Sequence, residues 1–188
     1  SITGQINVAL KNPETADPYH VNLYVNGSGR KEFNYISRHD ISRRWSTAVL
    51  IHGLHNEQAN DRNEDGFLDT PMQRNFVGRN EWKFKGDRGI RGEYAATYVN
   101  TAAVAGQKTA FGNAENWGQM TGRMDSLAGP WSAVTAIERT ELSAKTGFVF
   151  PDAEWRTIGT QFNYYNHFHQ QRFGKNQYEG TELFFRGN

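Results

Sequence analysis

The strongest constraint on the fold of this chain is the run Asn75 to Lys85, in which side-chain character changes at every step. Gly78, Trp82 and Phe84 fall on one parity, and Arg79, Glu81, Lys83 and Lys85 fall on the other. A period of two sends successive side chains to opposite faces of a sheet, so this run predicts a strand with one charged face. The preceding run, Trp45 to His55, alternates more loosely, with Trp45, Thr47, Val49 and Ile51 against Ser46, Ala48 and His52. Between them lies an acidic stretch, Asp61-Arg62-Asn63-Glu64-Asp65-Gly66-Phe67-Leu68-Asp69. The two runs therefore predict a long hairpin with a structured acidic loop at its tip.

The same period recurs along the chain. Ile2 to Val8 is a short alternating run, and the Pro- and Asp-containing residues 11–18 follow it as a linker. Tyr19 to Asn26 places Tyr19, Val21, Leu23 and Val25 on one face, Gly27-Ser28-Gly29 turns the chain, and Lys31 to Arg38 returns. Beyond the organising hairpin, Gly86-Asp87-Arg88-Gly89 reads as a tight turn into the alternating run Ile90 to Tyr98. Residues 100–134 are rich in Gly and Ala without a sustained period and read as a very long loop. Thr140, Leu142, Ala144, Thr146, Phe148 and Phe150 then oppose Arg139, Glu141, Ser143, Lys145 and Gly147. Two more runs, Trp155 to Gln170 and Tyr178 to Gly187, close the series. The expectation is an all-β protein, an antiparallel up-and-down meander of about eight long strands.

Connection lengths carry the argument further. Both long loops leave the same end of the meander, while the opposite end has only short turns, an asymmetry found in transmembrane β-barrels. Trp45, Trp82, Phe84, Phe148, Phe150 and Trp155 lie beside those short turns, where a barrel places an aromatic girdle. Several runs also exceed the ~5–6 residues of a typical globular strand and approach the ~9–11 that cross a bilayer at a tilt. A soluble sheet with one solvated face would alternate in the same way. Composition suits either: 37% hydrophobic and 13% aromatic in 188 residues, with a mean hydropathy of -0.77. The net charge of +1 comes from interspersed signs, so no concentrated positive patch points to nucleic acid. With no cysteine there are no disulfides or thiolate metal sites. The chain opens Ser1-Ile2-Thr3 without a charged and apolar leader, which reads as a cut or processed end.

Three stretches resemble the TonB-dependent outer-membrane receptors, in particular the cobalamin- and siderophore-receptor-like branch of Bacteroidetes. Ser1-Ile2-Thr3-Gly4-Gln5-Ile6-Asn7-Val8 is similar to the closing strand of that family's plug domain. Asp61 to Pro71 is similar to a loop often found after the third barrel strand, and Asn80-Glu81-Trp82-Lys83-Phe84 resembles the Asn-x-Trp-x-Phe/Tyr pattern of the fourth. The resemblance implies that residues 1–13 end a plug domain and that residues 14–188 begin a β-barrel in the outer membrane of a Gram-negative bacterium. It implies import of a bulky, scarce ligand such as a corrinoid or a metal-siderophore. Its partners would be outer-membrane lipid, the rest of the plug and barrel, and the TonB complex. The TonB box, most of the plug and most of the ~22 strands of such transporters are not in this sequence. A small non-transporting barrel and a soluble calcium-dependent β-sandwich binding module stand as the alternatives.

Candidate sites follow from residue type and spacing. Asp61, Asn63, Asp65, Gly66, Phe67 (through its carbonyl) and Asp69 match positions 1, 3, 5, 6, 7 and 9 of a calcium loop. Position 12 is Met72 in place of the bidentate Glu, so a Ca2+ site would be weaker or completed from elsewhere, by Glu57 or by the neighbouring long loop. A plain Asp/Asn/Gly turn that caps its own backbone reads equally from these residues. His52, His167 and His169 fall on the polar parity toward the loop end, as ligand contacts or as lumen-lining hydrogen-bonding groups. Trp117, with Trp131, is placed in the longest loop to stack on ligand or to anchor that loop. Arg79, Glu81, Arg91, Glu93, Arg139, Glu141 and Lys145 make a mixed-sign ladder. No nucleophile elbow, zincin helix or P-loop is present, and no enzyme activity is expected.

Overall fold

A computed structural model describes residues 11–110, 130–153 and 155–188. Eight strands follow one another: β1 (Tyr19–Val25), β2 (Lys31–Asp40), β3 (Trp45–Asn56), β4 (Met72–Lys85), β5 (Ile90–Gly106), β6 (Ser132–Val149), β7 (Thr157–Phe173) and β8 (Asn176–Gly187). All pair antiparallel with their sequence neighbours in a single sheet of order β1 to β8. The sheet is not closed, and β1 and β8 are its two edges. The expected meander of eight long strands is therefore the fold. The described residues contain no second sheet, so a sandwich has no partner layer among them.

Several boundaries differ from the alternation. Strand β5 runs on to Gly106 and β6 starts at Ser132, where the sequence suggested one loop from 100 to 134. Strand β7 runs from Thr157 to Phe173, where alternation suggested Trp155 to Gln170. The longest connection is accordingly 107–131. The reason lies in what covers the extra turns of strand, as described below. The turn ends are as expected: connections 57–71 and 107–131 leave one end together with the short 26–30 and 174–175 turns, and 41–44, 86–89 and 150–156 lie at the other.

Register is unbroken. From Trp45↔Phe84 to Asn56↔Gln73, and from Ile90↔Phe148 to Gly106↔Ser132, every residue has one partner and no bulge intervenes. Paired residues share a face, so the register carries each parity from strand to strand. One face collects Val21, Phe33, Ile51, Trp82, Tyr94, Leu142, Tyr164 and Phe185, and the other collects Asn34, His52, Glu81, Glu93, Glu141, Lys145 and His167.

On the first face, Lys, Arg, Asp and Glu occur only at the loop end. Lys31, Arg74 and Glu179 lie in one register row, with Glu138 one row below and Arg172 one row above. Below these rows the face carries none, over residues 45–53 of β3, 76–84 of β4 and 140–148 of β6. Nine residues at ~3.3 Å each run ~30 Å, or ~23 Å in height at a tilt of ~40°. At the short-turn end of this band Trp45 packs against Trp82, Phe84 and Tyr94 with ring centroids 6.3, 4.8 and 6.0 Å away. Phe148 and Phe150 meet edge to face at 4.9 Å.

The buried cluster is small and lies at the loop end of the same face. Met72, Ala102, Val104 and Val134 are shut in by Leu68, Ala110 and Ala136. Leu68 and Ala110 come from the two long connections, which a bridge between Phe67 and Gln107 joins. The amides of Leu68 and Lys108 donate to the carbonyls of Gly106 and Gly66 at 2.9 and 2.8 Å. Residues 66–68 of the first long connection and 107–110 of the second are thus folded down onto the sheet and tied to each other.

Candidate functional site

The polar face holds the candidate site. Its mid-region carries paired charges of both signs: Arg79 Nη2 lies 2.8 Å from Glu81 Oε2, Arg139 Nη2 3.0 Å from Glu141 Oε2, and Lys83 Nζ 3.4 Å from Glu93 Oε1. Arg79 also donates to Thr97 Oγ1 at 2.9 Å, and its neighbours with Ser143, Gln161 and Asn163 line an open groove. The expected ladder is present as neighbouring pairs along and across strands. Such a surface hydrogen-bonds polar ligands of either sign and does not select a single charge.

At the short-turn end the segment 11–18 lies against this face. Its Asn12 carbonyl accepts from the amides of Thr15 and Ala16 at 3.0 and 2.8 Å, closing a turn in which Pro13 and Ala16 are buried. Glu14 then bridges two lysines of β4, with Oε2 2.9 Å from Lys83 Nζ and Oε1 2.5 Å from Lys85 Nζ. Hydrogen bonds from Lys85 and Lys83 hold the Glu14 carboxyl well below its ordinary value, at about 2. A hydrogen bond from Lys11, at 2.6 Å, likewise lowers Asp17. The two bonds of Glu14 join residues some seventy apart in sequence, and no local pattern announces them. The stretch that reads as a linker is a strap docked on the polar face.

The acidic loop is closed by its own hydrogen bonds. Asp65 Oδ1 accepts from the Phe67 amide at 2.8 Å and Asp65 Oδ2 from Asn63 Nδ2 at 2.9 Å, while Asp69 Oδ2 accepts from the Arg62 amide at 2.8 Å. Gly66 takes a φ of 83°, as the sharp turn requires, and Glu64 a φ of 58°. Among the described residues no three His, Asp or Glu side chains converge closely enough to hold a metal ion. One oxygen does fit a cation: Asp61 Oδ1 is shut off from solvent and has no hydrogen-bond partner. A carboxylate oxygen in that state lacks the compensation that burial demands. Bound Ca2+ would find Asp61 at once and would have to share Asp65 and Asp69 with the backbone.

His52, His167 and His169 all lie on the polar face, but not together. His52 is on β3, where its Nδ1 meets Asn34 Oδ1 at 2.7 Å. His167 and His169 are on β7, with β4, β5 and β6 between. The latter two are neighbours, their ring centroids 5.6 Å apart. Trp117 lies outside the described residues. Trp131 anchors its own loop: its amide donates to Gln107 Oε1 at 2.6 Å, its carbonyl accepts from the Gln107 amide at 2.9 Å, and its indole covers Gly174.

No family model, curated protein or solved structure matches the chain.

Proposed function

We propose that this sheet is part of the wall of an outer-membrane β-barrel receptor of the TonB-dependent kind, taking up a bulky, scarce ligand such as a corrinoid or a metal chelate. The observation that carries the reading is the uncharged band on one face. Its height of ~23 Å is that of the apolar band on a transmembrane barrel, ~25 Å. Aromatic rings gather at its short-turn edge, as at a membrane interface. The opposite face carries the paired charges, which suits a wet lumen and would be costly against lipid. The strap 11–18 supports the same orientation, because it enters at the short-turn end and lies on the polar face, where a chain passing from plug to barrel would run. Open edges cannot face hydrocarbon, so further strands, or a pairing of β1 with β8, complete the wall in the membrane.

Fluorescence of the aromatic cluster tests this directly. In vesicles made with brominated phospholipids, emission from Trp45 and Trp82 should fall steeply, and aqueous iodide should quench little of it. Strong iodide quenching with no bromolipid effect would place that face in water and end the membrane reading. Uptake is tested separately, by whether deleting the natural gene removes a TonB-dependent growth response to corrinoid or chelated iron.

A calcium ion at Asp61 belongs to the same proposal, as a brace for the outer loop. Because Asp65 and Asp69 are already engaged, the expected affinity is in the ~10⁻⁴–10⁻³ M range of extracellular calcium modules.

A further inference from the structure

We infer that His167 and His169 form a chelating site for a divalent first-row transition-metal cation such as copper or zinc. The inference does not depend on the sheet's lying in a membrane. Residues two apart on a strand share a face, and here that spacing sets two imidazoles side by side in the middle of β7. Imidazole nitrogen suits copper, zinc and nickel. With a metal–nitrogen bond of ~2.1 Å and the ring centre ~1.2 Å beyond the nitrogen, each ring centre would sit ~3.3 Å from the ion. Centroids 5.6 Å apart then subtend an angle of about 120° at the metal. That lies within the range of tetrahedral and trigonal coordination.

Three further features favour a ligand there. His167 Nδ1 is closed off from solvent without a hydrogen-bond partner, an uncompensated polar atom beside the second ring. Glu182 is the direct register partner of His167 on β8, a negative charge near the two rings although it does not converge with them as a third ligand. Position 180, opposite His169, is glycine, and a Cβ there would stand 2.7 Å from His169 Cε1. Glycine in a strand interior weakens the strand, and it commonly marks a place where something must approach closely. Here it lets the His169 ring lie across β8. The cation opposite His167 on the other side, Arg139, is turned to Glu141 and to the Tyr165 ring, 4.6 Å from its centroid. Two protein nitrogens leave coordination positions open, so the ion would arrive carrying water or another chelator.

The probe is copper(II) chloride added to the folded chain in detergent micelles, followed by calorimetry and by electron paramagnetic resonance. The expected result is one saturable equivalent whose spectrum shows two coupled nitrogens. His167→Gln and His169→Gln should each weaken binding by about tenfold or more and remove one nitrogen, while His52→Gln leaves it unchanged. Gly180→Ala keeps both ligands but displaces the His169 ring, and should also weaken binding. This last variant guards against reading a folding defect of a histidine variant as lost chelation. Absence of saturable binding in the unaltered chain, or histidine variants that bind as tightly as the unaltered chain, overturns the assignment.

Discussion

Leu142 stands on the uncharged face of β6, between Ala96 of β5 and Tyr164 of β7, and is 44% exposed on the sheet alone. Replacing it with arginine separates a lipid-facing wall from a water-facing one. Burying a leucine fully is worth ~1.5–3 kcal/mol, so removing a side chain rather more than half covered costs about 1 kcal/mol in either setting. If the face meets water, little is added, since surface substitutions stay within ~0.5 kcal/mol. If it meets the bilayer near its midplane, arginine adds ~2–4 kcal/mol. The total of about 3–5 kcal/mol exceeds a hundredfold change in the folded fraction, at ~1.4 kcal/mol per factor of ten. The adjacent Ser143→Arg is the internal control, because it faces the ladder beside Glu141 and Lys145 and should cost under about 1 kcal/mol. Urea titration in phospholipid vesicles, read by tryptophan emission and by the heat-dependent gel mobility of barrels, measures both. Equal costs for the two, or a larger one for Ser143→Arg, would refute the assignment of faces.

Further expectations concern the strap, the acidic loop and one turn. Because the Glu14 carboxyl is held at about 2 against an ordinary 4.5, its contribution is complete above about pH 4.5 and is lost as pH falls through about 2. With the side chain 41% exposed, screening reduces this to the order of 1 kcal/mol. Protection factors of the Thr15 and Ala16 amides, taken against the intrinsic exchange rate at each pH, should fall over that window and already be low at pH 6 in Glu14→Gln; protection indifferent to both changes would show that the strap is held by something else. Calcium at ~10 mM, against a dissociation constant of ~1 mM, should add about 1.4 kcal/mol of stability, and Asp61→Asn should abolish the gain. No shift in melting temperature at that concentration would remove calcium from the loop. Gly89 has a φ of 83°, and a Cβ there would overlap the Val149 carbonyl oxygen, so Gly89→Ala should cost about 2 kcal/mol or more. Gly27→Ala, with open space around it, should cost much less in the same melting experiment.

Much of this sheet could be read from alternation, and the failures have a physical cause. β4 and the lower part of β6 were plain, because their two faces meet different surroundings and their sequences differ in step. Upper β5 and β6 were not, because Ala102, Val104 and Val134 lie beneath Leu68 and Ala110 while Ala103 and Ala105 occupy the other face. With small apolar residues on both sides the period disappears, and Gly- and Ala-rich strand reads as loop. The sequence marked the acidic loop and its turning glycine and offered both a calcium loop and a turn capping its own backbone; Asp65 and Asp69 accept from backbone amides, as the second of these has it. Parity put His52, His167 and His169 on one face, and strand order set His52 on the third strand and the other two on the seventh, too far apart for all three to share a metal, as they are. Parity says which face a residue occupies and nothing of how many strands lie between. The Glu14 bridge had no local signal at all, since a salt bridge across seventy residues exists only once the sheet has formed.

The unbroken register has a consequence for how such a chain can change over generations. Substitutions act one side chain at a time, and each face can drift by itself. Losing or gaining a single codon inside β5 is a different kind of event, because every residue beyond it would change sides: Tyr94 and Tyr98 would trade places with Glu93 and Thr97 against two neighbours at once. With no bulge to absorb the slip, strand interiors should tolerate insertions and deletions only in pairs. Length variation is left to the connections 57–71 and 107–131, so a lineage of these walls would diversify by rewriting one rim while its staves keep their lengths.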